Sequence, residues 1–553
     1  MCMNCSPYRS ACSHQPENAN EHAGAEAVEP FAAFLHAPIS RRKLLSVVGS
    51  GVAAGLVGGA LHWNPLARGK SLPYVVLIVL DGARPDYFGV PGTPNLQRLM
   101  RNGTHYTNAF AGILESETPS GHVTIATGSD PARTGIPSFW WANADNVQVS
   151  LFSPTKIRAG DMENLIRQAR VPTLAAAVHA GNANAKVVAL SGSKYYAADA
   201  IGGPDADITM YFQGTATGDF SPTYIPGHAP PGGLLTSPRL TTKSTHLSLG
   251  VENRLAMQLA VDTFNRVRQH VTLINLPEFD WPLGHVDGGI IDRAGVTTLM
   301  QSFDRDLGML QSAYRKAGVL DNTLFVLMAD HGMMPLRHRI AQSDLQNAVA
   351  RAGTTLVSQT YTSATFLWVK DSGRIVAAAQ NIARLLNPHI QSVYARLPAG
   401  SGYSYVRVTG PELLRAAGTE GANQYLLQSF NGPNAPDIVA VFAEGVGCEP
   451  GGQAGWKADH GGTSWQAQHI PLLLSGPGIR AGHVSSFPAR LVDIAPTVLQ
   501  AMGLPNPGMQ GLALADALVR APARAVQAQR SASRRLMPVV TSLQQESQRE
   551  LAA

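Results

Sequence analysis

The sequence predicts an α/β fold: a doubly wound, mostly parallel sheet sandwiched by helices, with a small α+β insertion. Three apolar runs, beginning at Val75, Val271 and Leu324, have the length of strands and no alternation of polar and apolar residues. Such runs are typical of strands buried on both faces of a parallel sheet. Segments with helical spacing, such as Val251 to His270, lie between them. An alternation of strands and helices predicts parallel pairing.

The N-terminal part of the sheet can be followed element by element. The first strand covers Val75–Leu80, and a helix is predicted over 93–103 because Thr-Pro opens that segment and Gly closes it. Another strand is predicted over 185–190. Residues 202–245 are rich in Gly, Pro, Thr and Ser. We therefore expect them to form a long irregular excursion near the edge where the strands end.

The C-terminal part adds the insertion and then returns to the sheet. The elements expected inside the insertion are strands at 364–369 and 438–442 and a helix at 373–386. The sheet is expected to resume at 469–474, followed by a glycine-capped helix over 491–503. The predicted division is a presequence (1–70), a main domain (71–335 and 446–520), an insertion (336–445) and a loose helical or disordered tail (521–553).

Composition and charge exclude several classes of protein. The chain has 553 residues, of which 44% are apolar and 15% charged, as expected for a large globular protein. Its net charge is +5, but the excess of Lys and Arg lies in residues 1–70 and 521–553. The remainder is neutral, so the sequence does not indicate a nucleic-acid-binding surface.

The presequence has the pattern of a twin-arginine export signal. Ser40-Arg41-Arg42-Lys43 precedes a mild apolar stretch from Ser46 to Leu61. The alternative is a transmembrane anchor, but the stretch barely reaches the ~18 residues that a span needs. We therefore expect a periplasmic or secreted protein that uses the export machinery, with retention at the membrane by an uncleaved signal as the alternative. Cys448 is the one cysteine after the presequence, so no internal disulfide is expected.

Acidic and imidazole side chains follow each of the three central strands. Asp81 ends the first, Asp280 and His285 follow the second, and Asp330-His331 follows the third. In open α/β sheets, ligands bind at the carboxyl ends of the strands. Asp and His together form mixed oxygen and nitrogen sites that suit Zn²⁺, although Mn²⁺, Fe or Ca²⁺ remain open. The pattern predicts a metal site at this edge.

These motifs, in this order, resemble those of the alkaline phosphatase superfamily, particularly its type I phosphodiesterase/nucleotide pyrophosphatase branch. The resemblance covers roughly residues 72–510 and includes the segment Glu117–Gly128 and His460-Gly461-Gly462. It implies that the main domain is catalytic and binds two divalent metal ions, with Zn²⁺ preferred. The implied ligands of one metal are Asp81, Thr118, Asp330 and His331, and those of the other are Asp280, His285 and His460.

Thr118 is the nucleophile that the resemblance implies, because it stands nine residues before the Thr127-Gly128 dipeptide; Ser116 and Ser120 are rivals. A threonine hydroxyl needs a metal or a base to ionise it. Two metals about 4 Å apart can stabilise the attacking and leaving oxygens of an in-line displacement. Thr118-Pro119 also predicts a helix start with Thr118 as the N-cap, where backbone N–H groups face an anion.

Three positions depart from the pattern of the superfamily. Phe139 stands where many relatives have an Asn that holds a phosphoryl oxygen, and Lys194 is the group expected to substitute for it. Tyr196 replaces the Arg of a Lys-x-Arg pair, and Asp280 and His285 are five residues apart rather than four. Lys194 and Phe139 are therefore the predicted substrate-binding residues. Phe139 and the tryptophans that follow it form either a pocket for an apolar or aromatic leaving group or a core cluster or lid hinge.

Two histidines near these motifs are given other roles. His122 is expected to pack beside the site or support a ligand, and His469 is expected to be structural because it precedes a strand. Sulfatases share the fold but carry Cys or Ser in a Cys/Ser-x-Pro-x-Arg segment, which the Thr118 segment lacks.

The function expected is therefore an exported two-metal phosphoric ester hydrolase acting through a phospho-threonine intermediate. Its substrate would be a small-molecule phosphoester, with a phosphodiester or a nucleotide-like compound favoured. The alternatives are a phosphomonoesterase or phosphonate hydrolase of the same superfamily, and a catalytically weakened metal- or phosphate-binding protein. The sequence gives no indication of the oligomeric state.

Overall fold

The computed structural model describes residues 72–552 except 216–217, 244–247, 289–291, 386, 409–418 and 450–454. The expected presequence and its export signal, residues 1–70, lie outside the described residues.

The described strands, in chain order, are β1 Tyr74–Leu80, β2 Gly103–Tyr106, β3 Trp140–Ala142, β4 Gln148–Ser150, β5 Val187–Ser191, β6 Ile208–Gly214, β7 Asp219–Tyr224, β8 Thr242–Lys243, β9 Val271–Leu276, β10 Thr323–Met328, β11 Met334–Pro335, β12 His338–Ala341, β13 Leu356–Gln359, β14 Ala364–Val369, β15 Ile390–Ala399, β16 Gly402–Arg407, β17 Ile438–Phe442, β18 Val446–Glu449, β19 Ala458–Asp459, β20 Leu472–Ser475 and β21 His483–Ser485.

The described α-helices are α1 Pro94–Arg101, α2 Thr118–Thr127, α3 Pro131–Thr134, α4 Pro154–Arg158, α5 Asp161–Ala169, α6 Leu174–Gly181, α7 Tyr195–Gly202, α8 Val251–Val267, α9 Arg293–Lys316, α10 Gln342–Ala350, α11 Ile375–Ala383, α12 Glu420–Gln428, α13 Trp465–Gln468, α14 Ile494–Met502 and α15 Ala523–Ala552. Short 3₁₀ helices cover Pro85–Gly89, Gly203–Asp205, Pro238–Leu240, Pro277–Phe279, Leu320–Asn322, Ser372–Arg374, Leu491–Asp493 and Ala515–Ala517.

A large central sheet confirms the predicted fold class. Its ten strands follow the order β21-β2-β20-β10-β1-β9-β5-β6-β7-β8. The five middle strands, from β10 to β6, are all parallel to their neighbours. The side chains of β1 from Val75 to Leu80 are completely buried, as expected for an apolar run in the middle of a parallel sheet. Three apolar runs in the sequence therefore become three adjacent strands, β10, β1 and β9.

Helices cover this sheet and bury its apolar faces. Helices α8 and α9 pack against each other, and α8 also contacts β9. Helices α2 and α7 form a second contacting pair, in which α7 packs on β5. The loops that leave β1, β9 and β10 start from the same edge of the sheet, because these three strands are parallel neighbours. Their polar residues are thereby brought close together.

The segment 202–245 differs from the expected irregular excursion. Strands β6, β7 and β8 lie in it and extend one edge of the central sheet. β6 is parallel to β5, and β7 then returns antiparallel to β6, with Met210 opposite Tyr224. The many Gly, Pro and Ser residues of the segment concealed these strands, because such residues indicate turns more strongly than edge strands.

A second, five-stranded sheet lies within the expected insertion. Its order is β13-β14-β17-β15-β16, with every described neighbouring pair antiparallel. Its own core includes Leu367, Ile382 and Val393, all completely buried. The sheet is contained between residues 356 and 442, inside the expected 336–445, although the domain boundaries themselves stay a prediction.

The C-terminal tail is an ordered helix rather than a loose one. Helix α15 packs on α12 and α13, and Leu536, Val540 and Leu543 are buried on one side of it. Their spacing of four and three residues is that of a helical stripe, but the surrounding Arg and Gln residues concealed it. Among the described residues, no helix combines the length and the apolar character that a membrane crossing requires.

Candidate active site

Three buried carboxylates lie at the carboxyl ends of the three central strands. Asp81 directly follows β1, Asp280 follows β9 after one 3₁₀ turn, and Asp330 stands two residues beyond β10. Gly82 has a positive φ of 74° and turns the chain immediately after Asp81. A side chain at this position would come within 3.1 Å of the Asp280 Cβ, so the glycine lets the two loops approach each other.

The first group of candidate ligands joins Asp280, His285 and His460. The Asp280 Oδ1 atom lies 3.2 Å from His285 Nε2 and 3.7 Å from His460 Nε2. His285 Nδ1 is 2.9 Å from the carbonyl oxygen of Ala458. If Nδ1 donates this hydrogen bond, the lone pair of Nε2 faces the carboxylate. The five-residue spacing is accommodated by a compact loop, in which His285 N–H donates to the Asp280 carbonyl at 3.0 Å.

The second group joins Asp81, Asp330 and His331. His331 Nε2 lies 3.4 Å from Asp81 Oδ1 and 3.6 Å from Asp330 Oδ2. The backbone N–H groups of Gly82 and His331 donate to Asp330 Oδ1 at 3.3 and 3.1 Å, which fixes the carboxylate so that Oδ2 faces the histidine. The rings of His331 and His460 stack with centroids 3.7 Å apart. The two groups of candidate ligands are therefore contiguous.

Thr118 lies at the start of α2, and the side chain of Lys194 contacts both Thr118 and the two groups of candidate ligands. The Lys194 Nζ atom is 3.3 Å from Thr118 Oγ1, 2.9 Å from Asp81 Oδ2 and 2.6 Å from Asp280 Oδ2. The N-cap is Glu117, one residue before the expected Thr118. Thr118 is instead the first helical residue, because Glu117 already has the extended backbone conformation of a cap.

Several buried atoms in these groups have lone pairs and no hydrogen-bond partner. They are Asp81 Oδ1, Asp280 Oδ1, Asp330 Oδ2, His331 Nε2 and His460 Nδ1. Leaving one buried polar group without a hydrogen bond costs about 1–3 kcal/mol. Five such atoms close together therefore indicate that cations complete the site. Within the described part of the chain, ligand atoms lie within 4.8 Å of one another in the sets Asp280/His285/His460, Asp81/His122/Asp330 and Asp81/Asp280/His331. The residues fit divalent cations.

A family model for type I phosphodiesterase/nucleotide pyrophosphatase matches residues 75–462. The chain belongs to this family. The match confirms the resemblance inferred from the motifs and classes the chain with metal-dependent phosphoric ester hydrolases.

Two solved structures have a similar fold. The alkaline phosphatase PafA is 18% identical with a TM-score of 0.62, and the alignment covers 81% of this chain and 99% of PafA. An inactive variant of murine ectonucleotide pyrophosphatase/phosphodiesterase 5, solved in complex with AMP, is 15% identical with a TM-score of 0.55. That alignment covers 79% of this chain and 97% of the murine protein.

Curated relatives match over shorter segments. Alkaline phosphatase PhoK of Sphingomonas sp is 31% identical over 129 residues, which are 22% of this chain and 23% of PhoK. Arylsulfatase K of Danio rerio is 50% identical over 42 residues, 8% of each chain. The matched segments thus span less than a quarter of the length of these relatives.

Two further polar residues, His122 and Asn275, lie next to the carboxylates of Asp330 and Asp81. His122 Nδ1 lies 3.3 Å from Asp330 Oδ2 and 2.9 Å from the carbonyl oxygen of Thr118. Asn275 Nδ2 donates to Asp81 Oδ2 at 2.8 Å and lies 3.0 Å from His122 Nε2. If Asn275 donates to Nε2, His122 carries its proton on Nδ1, beside Asp330. His122 therefore lies next to a candidate ligand, and its supporting role stays a prediction. Asn275 was missed from the sequence; a lone amide in the apolar run of β9 was the available signal.

The charged groups of the site shift one another's pKa values. Burial by itself would raise the pKa of Asp280, but the Lys194 ammonium and the neighbouring histidines hold that pKa well below its ordinary value. Burial likewise opposes the charge of Lys194, yet Asp280 and Asp81 raise its pKa well above the usual range. Lys194 is therefore a buried cation aimed at the carboxylates and at Thr118.

A carboxylate next to Thr118 was also missed from the sequence. Burial raises the pKa of Glu117 to about 7, against the lowering effect of hydrogen bonds from Ser138 and Phe139. The Ser138 hydroxyl and the Phe139 N–H donate to Glu117 Oε2 at 2.5 and 2.8 Å. Glu117 thereby attaches the segment around Phe139 to the start of α2.

The other residues singled out in the sequence lie partly near the candidate active site and partly in the core. The Phe139 ring lies 4.8 Å from that of Tyr196, and both are partly exposed. Trp141 is completely buried, so it belongs to the core and not to a pocket. Of the rival hydroxyls, Ser120 donates to backbone carbonyl groups. His469 contacts the carbonyl of Thr107 at 2.9 Å, in keeping with its expected structural role.

Proposed function

We propose that this protein is an exported two-metal phosphoric ester hydrolase in which the Thr118 hydroxyl attacks phosphorus, and that phosphodiesters or nucleotide-like compounds are its preferred substrates. One observation supports this above all: Lys194 contacts Thr118 and also one carboxylate from each group of candidate ligands. The nucleophile, a cation and both ligand groups therefore meet at one point.

The ligand assignment follows the two groups. Asp81, Thr118, Asp330 and His331 would hold one ion, and Asp280, His285 and His460 would hold the other. The mixed nitrogen and oxygen donors favour Zn²⁺. When bound, two such ions favour ionisation of a hydroxyl and neutralise charge on the attacking and leaving oxygens.

The residues of the chain then have separate tasks. The Thr118 hydroxyl gives its proton to solvent, and its oxygen forms a bond to phosphorus while the bond to the leaving oxygen breaks and the leaving group departs with that oxygen. Lys194 can turn its N–H groups from the carboxylates to a phosphoryl oxygen. The free N–H groups at the start of α2 also favour an anion at this place. Water then splits the phospho-threonine, which still carries the second ester group when the substrate is a diester.

Three relatives support a phosphoester substrate, and their names differ in its class. The murine protein, solved with AMP, is a nucleotide pyrophosphatase/phosphodiesterase, whereas PafA and PhoK are alkaline phosphatases. The second candidate function is therefore a phosphomonoesterase or a phosphonate hydrolase. The buried charge of Lys194 favours it, because a monoester carries more negative charge than a diester.

We also propose export through the twin-arginine pathway from the pattern in residues 40–61. The protein would then act in the periplasm or outside the cell, or at the membrane if the signal is not cleaved.

A substrate panel tests the proposed function. The chain without residues 1–70 is incubated with Zn²⁺ and with p-nitrophenyl phosphate, bis-p-nitrophenyl phosphate, an aryl phosphonate and p-nitrophenyl sulfate. We expect hydrolysis of the phosphorus esters, fastest for the diester, and little or none of the sulfate. Thr118→Ala should abolish turnover while the protein largely keeps its metal, because the other proposed ligands remain. Metal binding without turnover of any ester would identify a weakened binding protein instead.

A further inference from the structure

A small cavity lies beside the C-terminal helix α15 and is lined by none of the candidate ligands of the active site. Its volume is about 10 Å³, roughly the space that one water molecule or a single ion of that size requires. Three parts of the fold meet there: α15, the second sheet with helix α12, and the loop that follows His460. The polar wall of the cavity includes Gln391, Asn423, Glu444, Glu546, Ser547 and Glu550.

Three carboxylates belong to this wall and are connected to one another. Glu546 and Glu550 are four residues apart in α15, so they share one face of the helix. Gln391 Nε2 lies 3.3 Å from Glu546 Oε1 and 3.3 Å from Glu550 Oε1. The backbone N–H of Glu444 donates to Glu550 Oε2 at 2.5 Å. Two like charges at this helical spacing destabilise the helix unless something neutralises them.

The protein supplies little positive charge to these carboxylates. Arg549, which is 58% exposed, pairs with Glu546. Among the described residues, no Lys or Arg lines the cavity or forms an ion pair with Glu444 or Glu550. Burial raises the pKa of Glu550 to about 7, and Glu546 acts in the same direction. Burial also raises the pKa of Glu444, although hydrogen bonds and the charge of Arg84 oppose this shift. A divalent cation would balance these charges.

Three side-chain oxygens of the wall are buried and have no hydrogen-bond partner. They are Asn423 Oδ1, Glu444 Oε2 and Gln391 Oε1, in residues that are 0%, 8% and 9% exposed. The other polar atoms of these side chains are engaged: Asn423 Nδ2 donates to Tyr394, and Glu444 Oε1 accepts from Ser464. The three oxygens are therefore the groups that these residues offer to the cavity. Buried acceptors of this kind need a donor or a cation.

The chemistry of the wall favours calcium. Its donors are carboxylate, amide and hydroxyl oxygens, and the described residues that line it include no His or Cys. Zn²⁺ prefers nitrogen and sulfur ligands, as in the histidine-rich candidate active site, whereas Ca²⁺ takes oxygen ligands of these types in flexible geometry. Mg²⁺ usually keeps several of its water molecules, and a cavity of about 10 Å³ has no room for them.

We propose that this cavity binds one Ca²⁺ ion through the carboxylates of Glu444, Glu546 and Glu550 and the amide oxygens of Gln391 and Asn423. A half-turn of the Gln391 amide exchanges its nitrogen for its oxygen and brings that oxygen between Glu546 and Glu550. The ion fastens α15 to the second sheet and to the loop that follows His460. Its role is to stabilise the fold, and it is independent of the proposed function.

Calcium binding to the zinc-saturated protein tests the proposal, because Zn²⁺ then fills the candidate active site. The chain without residues 1–70 is dialysed against CaCl₂, its bound Ca²⁺ and Zn²⁺ are counted, and its melting temperature is measured. We expect one Ca²⁺ per chain, no loss of Zn²⁺ and a higher melting temperature. Glu546→Gln and Glu550→Gln should each weaken Ca²⁺ binding by about tenfold or more, since the charge of the ligands sets this affinity.

Both glutamine variants keep the shape of the side chain and an oxygen that accepts hydrogen bonds. Without Ca²⁺ their melting temperatures should be no lower than that of the wild type, because repulsion between Glu546 and Glu550 is relieved. Asp371→Asn is the control; Asp371 is a carboxylate with a 57% exposed side chain, and its replacement should leave Ca²⁺ binding unchanged.

Two results would overturn the calcium site. One is a zinc-saturated wild type that retains no Ca²⁺, or that gains Ca²⁺ only as it loses Zn²⁺; this result needs no variant. The other is Ca²⁺ binding of wild-type strength in both Glu546→Gln and Glu550→Gln, which would show that the ion binds elsewhere.

Discussion

The ammonium nitrogen of Lys194 lies 3.3 Å from the hydroxyl oxygen of Thr118. Both residues are almost completely buried, and the same nitrogen also contacts Asp81 and Asp280. A buried cation in this position can neutralise charge that develops on a phosphoryl oxygen beside Thr118.

Replacement of Lys194 by methionine removes the charge and keeps the length of the side chain. We expect Lys194→Met to lower kcat/KM for a phosphodiester by roughly 10²–10³, the usual effect of losing one donor to a transition-state oxygen. Lys243→Met is the control, because Lys243 is an exposed lysine that contacts Asp219. Steady-state kinetics of both variants gives the answer, and equal rates for Lys194→Met and the wild type would exclude the role.

Removal of metal should destabilise the protein as well as inactivate it. Asp81, Asp280 and Asp330 are buried close together, and without metal ions the single charge of Lys194 does not balance their mutual repulsion. Binding at about 100 times Kd stabilises the folded state by about 2.7 kcal/mol per site. We expect chelation to lower the melting temperature and Zn²⁺ to restore it together with activity. A melting temperature indifferent to Zn²⁺ would argue against a metal centre, and Asp280→Asn should show a reduced response.

Asn275 should influence metal affinity although it is not a candidate ligand. Its Nδ2 atom donates to Asp81 Oδ2 at 2.8 Å, so Asn275→Leu removes a bond that orients this carboxylate. Loss of such an outer partner typically costs about 10–100-fold in metal affinity or activity, and we expect metal titration to show a loss of this size. Thr272→Val is the matched control on the same strand; its hydroxyl contacts Tyr314, 2.9 Å away, so only stability should fall.

An ion pair away from the active site predicts a pH dependence of stability. His228 Nε2 lies 2.8 Å from Glu163 Oε1. This contact raises the pKa of His228. Burial by itself would raise the pKa of Glu163, but His228 and Arg167 hold the pKa of Glu163 below the ordinary value. Because the pKa of His228 is raised on folding, its contribution to the free energy of unfolding is fully present below about pH 6.5 and is lost as the pH rises. Because the pKa of Glu163 is lowered on folding, its contribution is present above about pH 4.3 and is lost as the pH falls.

The stabilisation from this pair should therefore be largest at moderately acidic pH. We expect His228→Gln to lower the free energy of unfolding more at about pH 5.5 than at about pH 8.5, as measured by urea denaturation. An equal loss at both values would show that the substitution acts through packing rather than charge.

The fold and most candidate ligands were predictable because their signals are local. An unbroken apolar run followed by Asp81, or by Asp330-His331, specifies a buried strand and a polar strand end within a few residues. The registers that place these strand ends side by side follow from parallel pairing, with Val75 opposite both Val271 and Leu324.

Other features depend on contacts between distant segments. The sequence predicts that Lys194 binds the substrate, but it does not predict the bonds from Lys194 to Asp81 and Asp280. These bonds join residues that are 113 and 86 positions apart in the chain. The support from Asn275 is equally non-local. Phe139 and Phe152, which flank the β3–β4 hairpin, pack against Tyr196 of helix α7, and no spacing rule in the sequence relates these three rings. The burial of Trp141 beside the partly exposed Trp140 follows from strand alternation, once β3 is known to be a strand.

The stereochemical course at phosphorus tests the central claim most directly. A phosphodiester that is chiral at phosphorus is hydrolysed by the wild-type protein, and the configuration of the product is determined by phosphorus NMR. Attack by Thr118 followed by attack of water makes two in-line displacements, so the account predicts net retention. Net inversion would show that water attacks the substrate directly, and Thr118 would then not be the nucleophile.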